Sequence, residues 1–180
     1  MLPFLLLLAA SPAPAATPET APLSVRALPD TVFQDQTGAE RRFADLVKGR
    51  LVALNFIFTS CTTICPPMGA AFAALQTLEA ARGVDVQFLS VSIDPTTDTP
   101  QRLDAWARKF GGTAAWTLLT GPSSGVNALL DAFGVGGVVR GEHAPVVVLG
   151  NARAGRWVRA HALAPPAELA ALLDDLRSQR

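Results

Sequence analysis

The chain has 180 residues, 49% of them hydrophobic, and its 15 basic side chains are balanced by 15 acidic ones. That length fits one domain with a sizeable core. The balance provides no basic field for nucleic acid, and no run of like charges or low-complexity tract marks a disordered body.

Residues 1–15 read as an export signal. Leu2–Ala10 is an apolar run far short of the roughly 20 residues that span a bilayer, and Ala13-Pro14-Ala15 fits an A-x-A cleavage site. No cysteine lies near that site, so a lipid anchor finds no attachment point there. The expectation is a periplasmic protein, secreted by cleavage and touching a membrane only through a partner. Residues 16–24 form a Pro/Ala/Thr linker, and 25–180 the folded domain.

Thr31 to Phe43 alternates as a β-hairpin turning at Thr37-Gly38. Leu51 to Phe58 is a continuous apolar run, as for a strand buried on both faces. A helix follows the cysteines: Pro66 and Pro67 suit its first turn. Met68, Phe72, Leu75 and Leu78 recur at helical spacing, and Gly83 closes it. Val84 to Ile93 is a second strand, and Thr99 to Phe110 a helix ended by Gly111-Gly112. Trp116 to Leu119 is a short strand and Val126 to Phe133 a short helix. Pro145 to Leu149 and Arg156 to Ala160 pair across a turn at Gly150-Asn151. Pro165 to Leu176 is a last helix with Leu169, Leu172, Leu173 and Leu176 on one face. Alternating strands and helices predict an α/β fold with a mostly parallel central sheet and an antiparallel final pair.

The chemistry concentrates in Phe58–Met68 (FTSCTTICPPM), which holds both cysteines of the chain, Cys61 and Cys65, with three residues between them. A disulfide between them would close a very small loop and stabilise little, so a structural bridge is poorly motivated even in an oxidising compartment. They lie between a buried strand and a helix N-terminus, where the helix dipole and free N–H groups favour thiolates. Were both helical, their Cβ atoms would stand roughly 5–6 Å apart, against about 3.8 Å in a disulfide. Closing a bridge therefore requires a non-helical segment at Cys61 to Ile64. Metal–sulfur bonds of about 2.3 Å let two sulfurs lie roughly 4 Å apart. The spacing suits chelation at least as well as thiol exchange.

A dithiolate site needs a third ligand, and the histidines are His143 and His161. His143 lies in the loop Arg140–Pro145, just before a buried strand, where ligand sites of α/β sheets gather. The plain alternative is a solvated loop histidine. His161, at a strand end, reads as structural, and Met68 fits the core face of its helix. Two thiolates and an imidazole select Cu(I), Cu(II) or zinc. Structural zinc wants four ligands, so three donors favour copper, and an exposed site suits handing it on.

The residues resemble the Sco/SenC family of copper-binding thioredoxin-like proteins, which assist assembly of the copper centres of cytochrome c oxidase. The resemblance rests on C-x3-C-P (Cys61, Cys65, Pro66) preceded by NFIFTS. It also rests on SVSIDPTTDTP (Ser90–Pro100), on LLTG (Leu118–Gly121) and on a late histidine before a strand; it covers roughly Pro22 to Leu176. It implies a thioredoxin-like fold, a mixed central sheet flanked by helices, with an extra N-terminal hairpin. It implies copper ligands Cys61, Cys65 and His143, and as partner the copper-bearing subunit of cytochrome c oxidase or another periplasmic copper protein. The family also reduces copper-site cysteines. Departures are Glu142 where Asp often precedes the histidine, no evident membrane anchor, and Ala144-Pro145 after the histidine. Pro145 is similar in placement to the cis-proline facing the cysteines of thioredoxin-like oxidoreductases.

The expectation is a copper carrier rather than an enzyme. The alternative is a thiol–disulfide oxidoreductase with Cys61 attacking and Cys65 resolving. The peroxiredoxin pattern P-x-x-x-T-x-x-C fails, because Phe58 stands where its proline should. Gly121–Gly125 matches G-x-S-x-G but reads as a loop with a helix cap, since Pro122 restricts a strained elbow. Asp94 and Asp98 sit in a Pro-rich loop that reads as turn and cap, with docking or support of the site as the other possibility.

Overall fold

A computed structural model describes residues 20–25, 27–111, 115–141 and 144–178. Among these residues eight strands form one sheet in the order β1-β8-β7-β4-β5-β6-β2-β3. Its centre is β4 (Leu51–Ile57), β5 (Val86–Ser92) and β6 (Trp116–Thr120), all parallel. β7 (Val146–Asn151) joins β4 antiparallel, and β8 (Arg156–His161) joins β7. At the other edge lies the expected hairpin, β2 (Val32–Asp35) with β3 (Glu40–Arg42), β2 being antiparallel to β6. The sheet is therefore mixed, its parallel part confined to the central strands.

Side chains of the central strands alternate between two cores, because successive residues of a strand face opposite ways. One face packs Ala53, Ile57, Phe88 and Leu118 under α2 (Cys65–Ala81), α3 (Pro100–Arg108) and α6 (Pro166–Ser178). There Phe72 meets Phe88 and Trp116 edge-on or tilted at 5.2 and 5.4 Å, and Trp106 meets Trp116 at 5.7 Å. The other face packs Val52, Leu54, Leu89 and Leu119 against α1 (Phe43–Val47), α4 (Ser123–Ala132) and α5 (Gly136–Gly141). Both faces are covered, as continuous apolar strands require.

Several expectations shift. Ala21–Leu23, assigned by composition to a linker, is a strand, β1, paired with β8. Gly150 and Asn151 do not turn the last hairpin; both lie in β7, opposite Trp157 and Arg156. The turn is 152–155. Asn151 Oδ1 accepts from the N–H groups of Arg153 and Ala154, and Gly155 takes the positive φ, 65°. The helix after the cysteines starts at Cys65 itself. No peptide bond among the described residues is cis, Ala144–Pro145 included, so Pro145 does not share the cis geometry of the oxidoreductase proline. The segment 1–15 and His143 with Glu142 lie outside the described residues. Among the described residues no helix is long and apolar enough to cross a membrane.

Candidate metal centre

β4 ends at Ile57, and the chain turns at once: Cys61 N–H donates to Phe58 O at 3.2 Å, closing a tight turn over Thr59 and Ser60. The chain from Cys61 to Ile64 is not helical, so the helical separation of the two cysteines does not apply. α2 then begins at Cys65. A helix leaves its first N–H groups without internal partners. Pro66 and Pro67 have none to offer, and the Cys65 N–H points at Cys61 Sγ, 3.3 Å away. The C-P-P run thus aims the donor end of the helix at the sulfur of Cys61.

Both thiols are free. Cys61 is 9% exposed and Cys65 2%. Cys61 borders a surface cleft of about 270 Å³ lined also by Phe58, Ser60, Thr62, Thr63 and Ile64. Burial alone would raise the Cys61 thiol, but the Cys65 N–H and contacts with Thr63 outweigh it and bring it down to about 7. Cys65 goes the other way. Burial pushes its thiol up to about 12, with smaller contributions from Cys61 and from the negative charge of Asp98, against a lowering bond from the Phe58 backbone. The expectation that the helix end favours both thiolates therefore holds for Cys61 only. Cys65, as the first helical residue, is turned into the core with Met68 and Phe72.

The antiparallel register of β7 against β4 sets Val147 opposite Asn55, so β7 begins at the sheet end where β4 finishes. Ala144, directly after His143 in the chain, lines a small apolar cavity with Cys65, Met68 and Phe56. His161, at the end of β8, sits opposite Val146 and accepts from Leu163 N–H through Nδ1 at 3.3 Å, in keeping with a structural role. Met68 is buried in the core. Among the described residues no three metal-ligating side chains converge. The two sulfurs are the described part of the candidate ligand set, and as soft donors they suit Cu(I).

Asp98 is not merely a turn residue. Its carboxylate, 1% exposed, accepts from Thr59 N–H at 3.0 Å, Thr59 Oγ1 at 2.5 Å and Ser92 Oγ at 2.7 Å. Asp94 does stay a turn residue, its Oδ1 accepting from Thr96 Oγ1.

A family model described as SCO1/SenC matches residues 28–144 of the chain. The chain belongs to the SCO1/SenC family. A SCO1 protein homolog of Bacillus subtilis is 40% identical over 103 residues, 57% of this chain. That match spans about half, 52%, of the relative's own length. A solved structure of BsSco, described as a member of the Sco family of cytochrome c oxidase assembly proteins with a disulfide switch, superposes with a TM-score of 0.73. Its identity is 26%, over 85% of this chain and 94% of that one. Yeast Sco1, solved with copper bound, shares the fold with a TM-score of 0.66 at 20% identity, over 92% of this chain and 96% of that one. The sheet, helices and extra hairpin are thus those of the SCO1/SenC fold, thioredoxin-like as the motifs implied.

Proposed function

We propose that this SCO1/SenC chain is a periplasmic copper chaperone. It takes up Cu(I) or Cu(II) through Cys61, Cys65 and His143 and assists assembly of a copper centre, in cytochrome c oxidase or another periplasmic copper protein. Residues 1–15 serve as the cleaved export signal, and the folded domain carries the copper. The observation behind this reading is the pair of free sulfurs at one sheet end, with the residue after His143 lining the cavity that Cys65 lines. Copper bound to yeast Sco1 and the oxidase-assembly role of the family of BsSco support it. Copper is cargo here: Cys61 reaches it from the cleft, Cys65 holds it from the core side, and His143 completes the set.

Anaerobic titration of the reduced protein with Cu(I) against a competing chelator tests the reading, with His143→Ala run alongside. One tightly held copper, weakened at least tenfold by the substitution, is the expected result. Absence of competitive binding would remove the chaperone role.

The thiol asymmetry favours a second activity at the same residues, reduction of partner disulfides. The Cys61 thiolate would attack a partner disulfide and form a mixed disulfide, releasing one partner thiolate, which takes up a proton. Cys65, on losing its proton, would then attack Cys61 Sγ and release the second partner sulfur, leaving a Cys61–Cys65 disulfide. This activity needs both cysteines and survives His143→Ala, which separates it from copper carriage.

A further inference from the structure

The buried carboxylate of Asp98 touches neither cysteine sulfur by hydrogen bond, yet it holds the turn that delivers one of them. In the turn Phe58–Cys61 the N–H of Thr59 is not used by the turn itself. It is bound by both Asp98 oxygens, at 3.0 and 3.3 Å. The Thr59 hydroxyl donates to Asp98 Oδ1 and accepts from Arg102 Nε at 3.1 Å, so Arg102, 3.9 Å from the carboxylate, is tied to it through Thr59. Ser92, the last residue of β5, donates to the other oxygen. One carboxylate therefore ties together the end of β5, the start of α3 and the loop two residues ahead of Cys61. Such a group is costly to bury unless fully bonded, and it is bonded on both oxygens. A cap for α3 does not require it, because Thr99 caps that helix with its own hydroxyl, accepting from Arg102 N–H.

We infer that Asp98 is a positioning residue for the cysteine pair: by pinning Thr59 it fixes the Phe58–Cys61 turn and so holds Cys61 Sγ against the Cys65 N–H. Chelation and disulfide closure both need the two sulfurs together, so both depend on this pin through the effective concentration of one sulfur near the other. The copper consequence rests on the chaperone reading; the disulfide consequence does not.

The test compares Asp98→Ala with Asp35→Ala. Asp35 is the matched control: a buried carboxylate that also holds a turn, accepting from Thr37 and Ala39, but in the β2–β3 hairpin, with β2 two strands away from β5 in the sheet. The readouts are unfolding midpoint, Cu(I) affinity by chelator competition, and the Cys61/Cys65 equilibrium with glutathione. For Asp98→Ala the expected result is a tenfold loss in each of the last two, the redox shift being about 30 mV towards the dithiol. Asp35→Ala lowers the midpoint while leaving both within twofold. Thr59→Val, which removes the hydroxyl but keeps the N–H, falls between wild type and Asp98→Ala and serves if that variant does not fold. Values within twofold of wild type for the Asp98 and Thr59 variants, or equal losses in Asp35→Ala, would overturn the inference. If wild type holds no Cu(I), the chaperone reading fails while the glutathione equilibrium still decides the role of Asp98.

Discussion

Two thiols close together in sequence are drawn apart in acidity by one backbone N–H and by burial. Cys61, brought down to about 7, stabilises the reduced fold above pH 9.0, and that contribution is lost as pH falls through about 7. Cys65, pushed up to about 12, contributes in the opposite sense: its share is full below 9.0 and is lost as pH rises through about 12. Reactivity follows the thiolate. Iodoacetamide applied to the reduced protein is expected to modify Cys61 first, with a rate whose pH midpoint lies near 7. A midpoint near 9, or peptide mapping that finds Cys65 labelled first, would show that the asymmetry does not exist. The sequence carried the pair and its place before a helix. It did not carry the asymmetry, because that depends on which residue starts α2. Support of the site by Asp98 is one of the readings the sequence leaves open, but its partner does not show there: Thr59 lies far back in the chain and is met only once β4 and β5 run side by side.

At the scale of elements, the strongest periodic signals translated most directly. β4 is legible as an apolar run broken only by Asn55, β5 as a strand of mixed apolar and small polar residues, and α2 as a repeat of Met68, Phe72 and Leu75, all buried. The last hairpin was legible in its strands but not in its turn. Gly150-Asn151 carries a turn signal, yet Gly150 serves a packing need: a Cβ there would stand 2.0 Å from the Trp157 ring that lies across it. That ring also meets Phe133 at 5.1 Å in the second core, so it has little room to retreat. Gly150→Ala is therefore expected to destabilise by about 2 kcal/mol through overpacking, lowering the melting temperature by about 4–8 °C in a chain of this size. Calorimetry showing no loss would mean that Trp157 moves aside freely. The short strand β1 had no signal of its own. Ala21-Pro22-Leu23 neither alternates nor favours strand, and it becomes one only because β8 offers it an open edge.

At the scale of the whole molecule, those three residues make one edge of the sheet, a short strand carrying Pro22 in place of the longer β8. A chain starting at Val25 would leave the outer edge of β8 unpaired, a template for other strands. It is expected to melt lower and to associate with rising concentration on size exclusion, whereas unchanged melting and a monomeric elution would show that the edge needs no cover. The fold class, the mixed sheet and the extra hairpin could be read from the order of elements and from the motifs. The place of β7 in the sheet could not, since nothing in the order of elements says that β7 enters beside β4, the strand before the cysteines, rather than at an edge. That same pairing bears on timing. Val147 and Asn55 are neighbours across the sheet but far apart along the chain, and contacts of such separation form late, after a long loop has closed. A chain still folding carries its two sulfurs close in sequence, with no wall of β7 beside them and no pinned turn beneath. On the chaperone reading, copper met at that stage would find two loosely tethered sulfurs, and copper met afterwards a pair held in place. Completion of the sheet is thus the step that turns two loosely tethered sulfurs into a fixed pair.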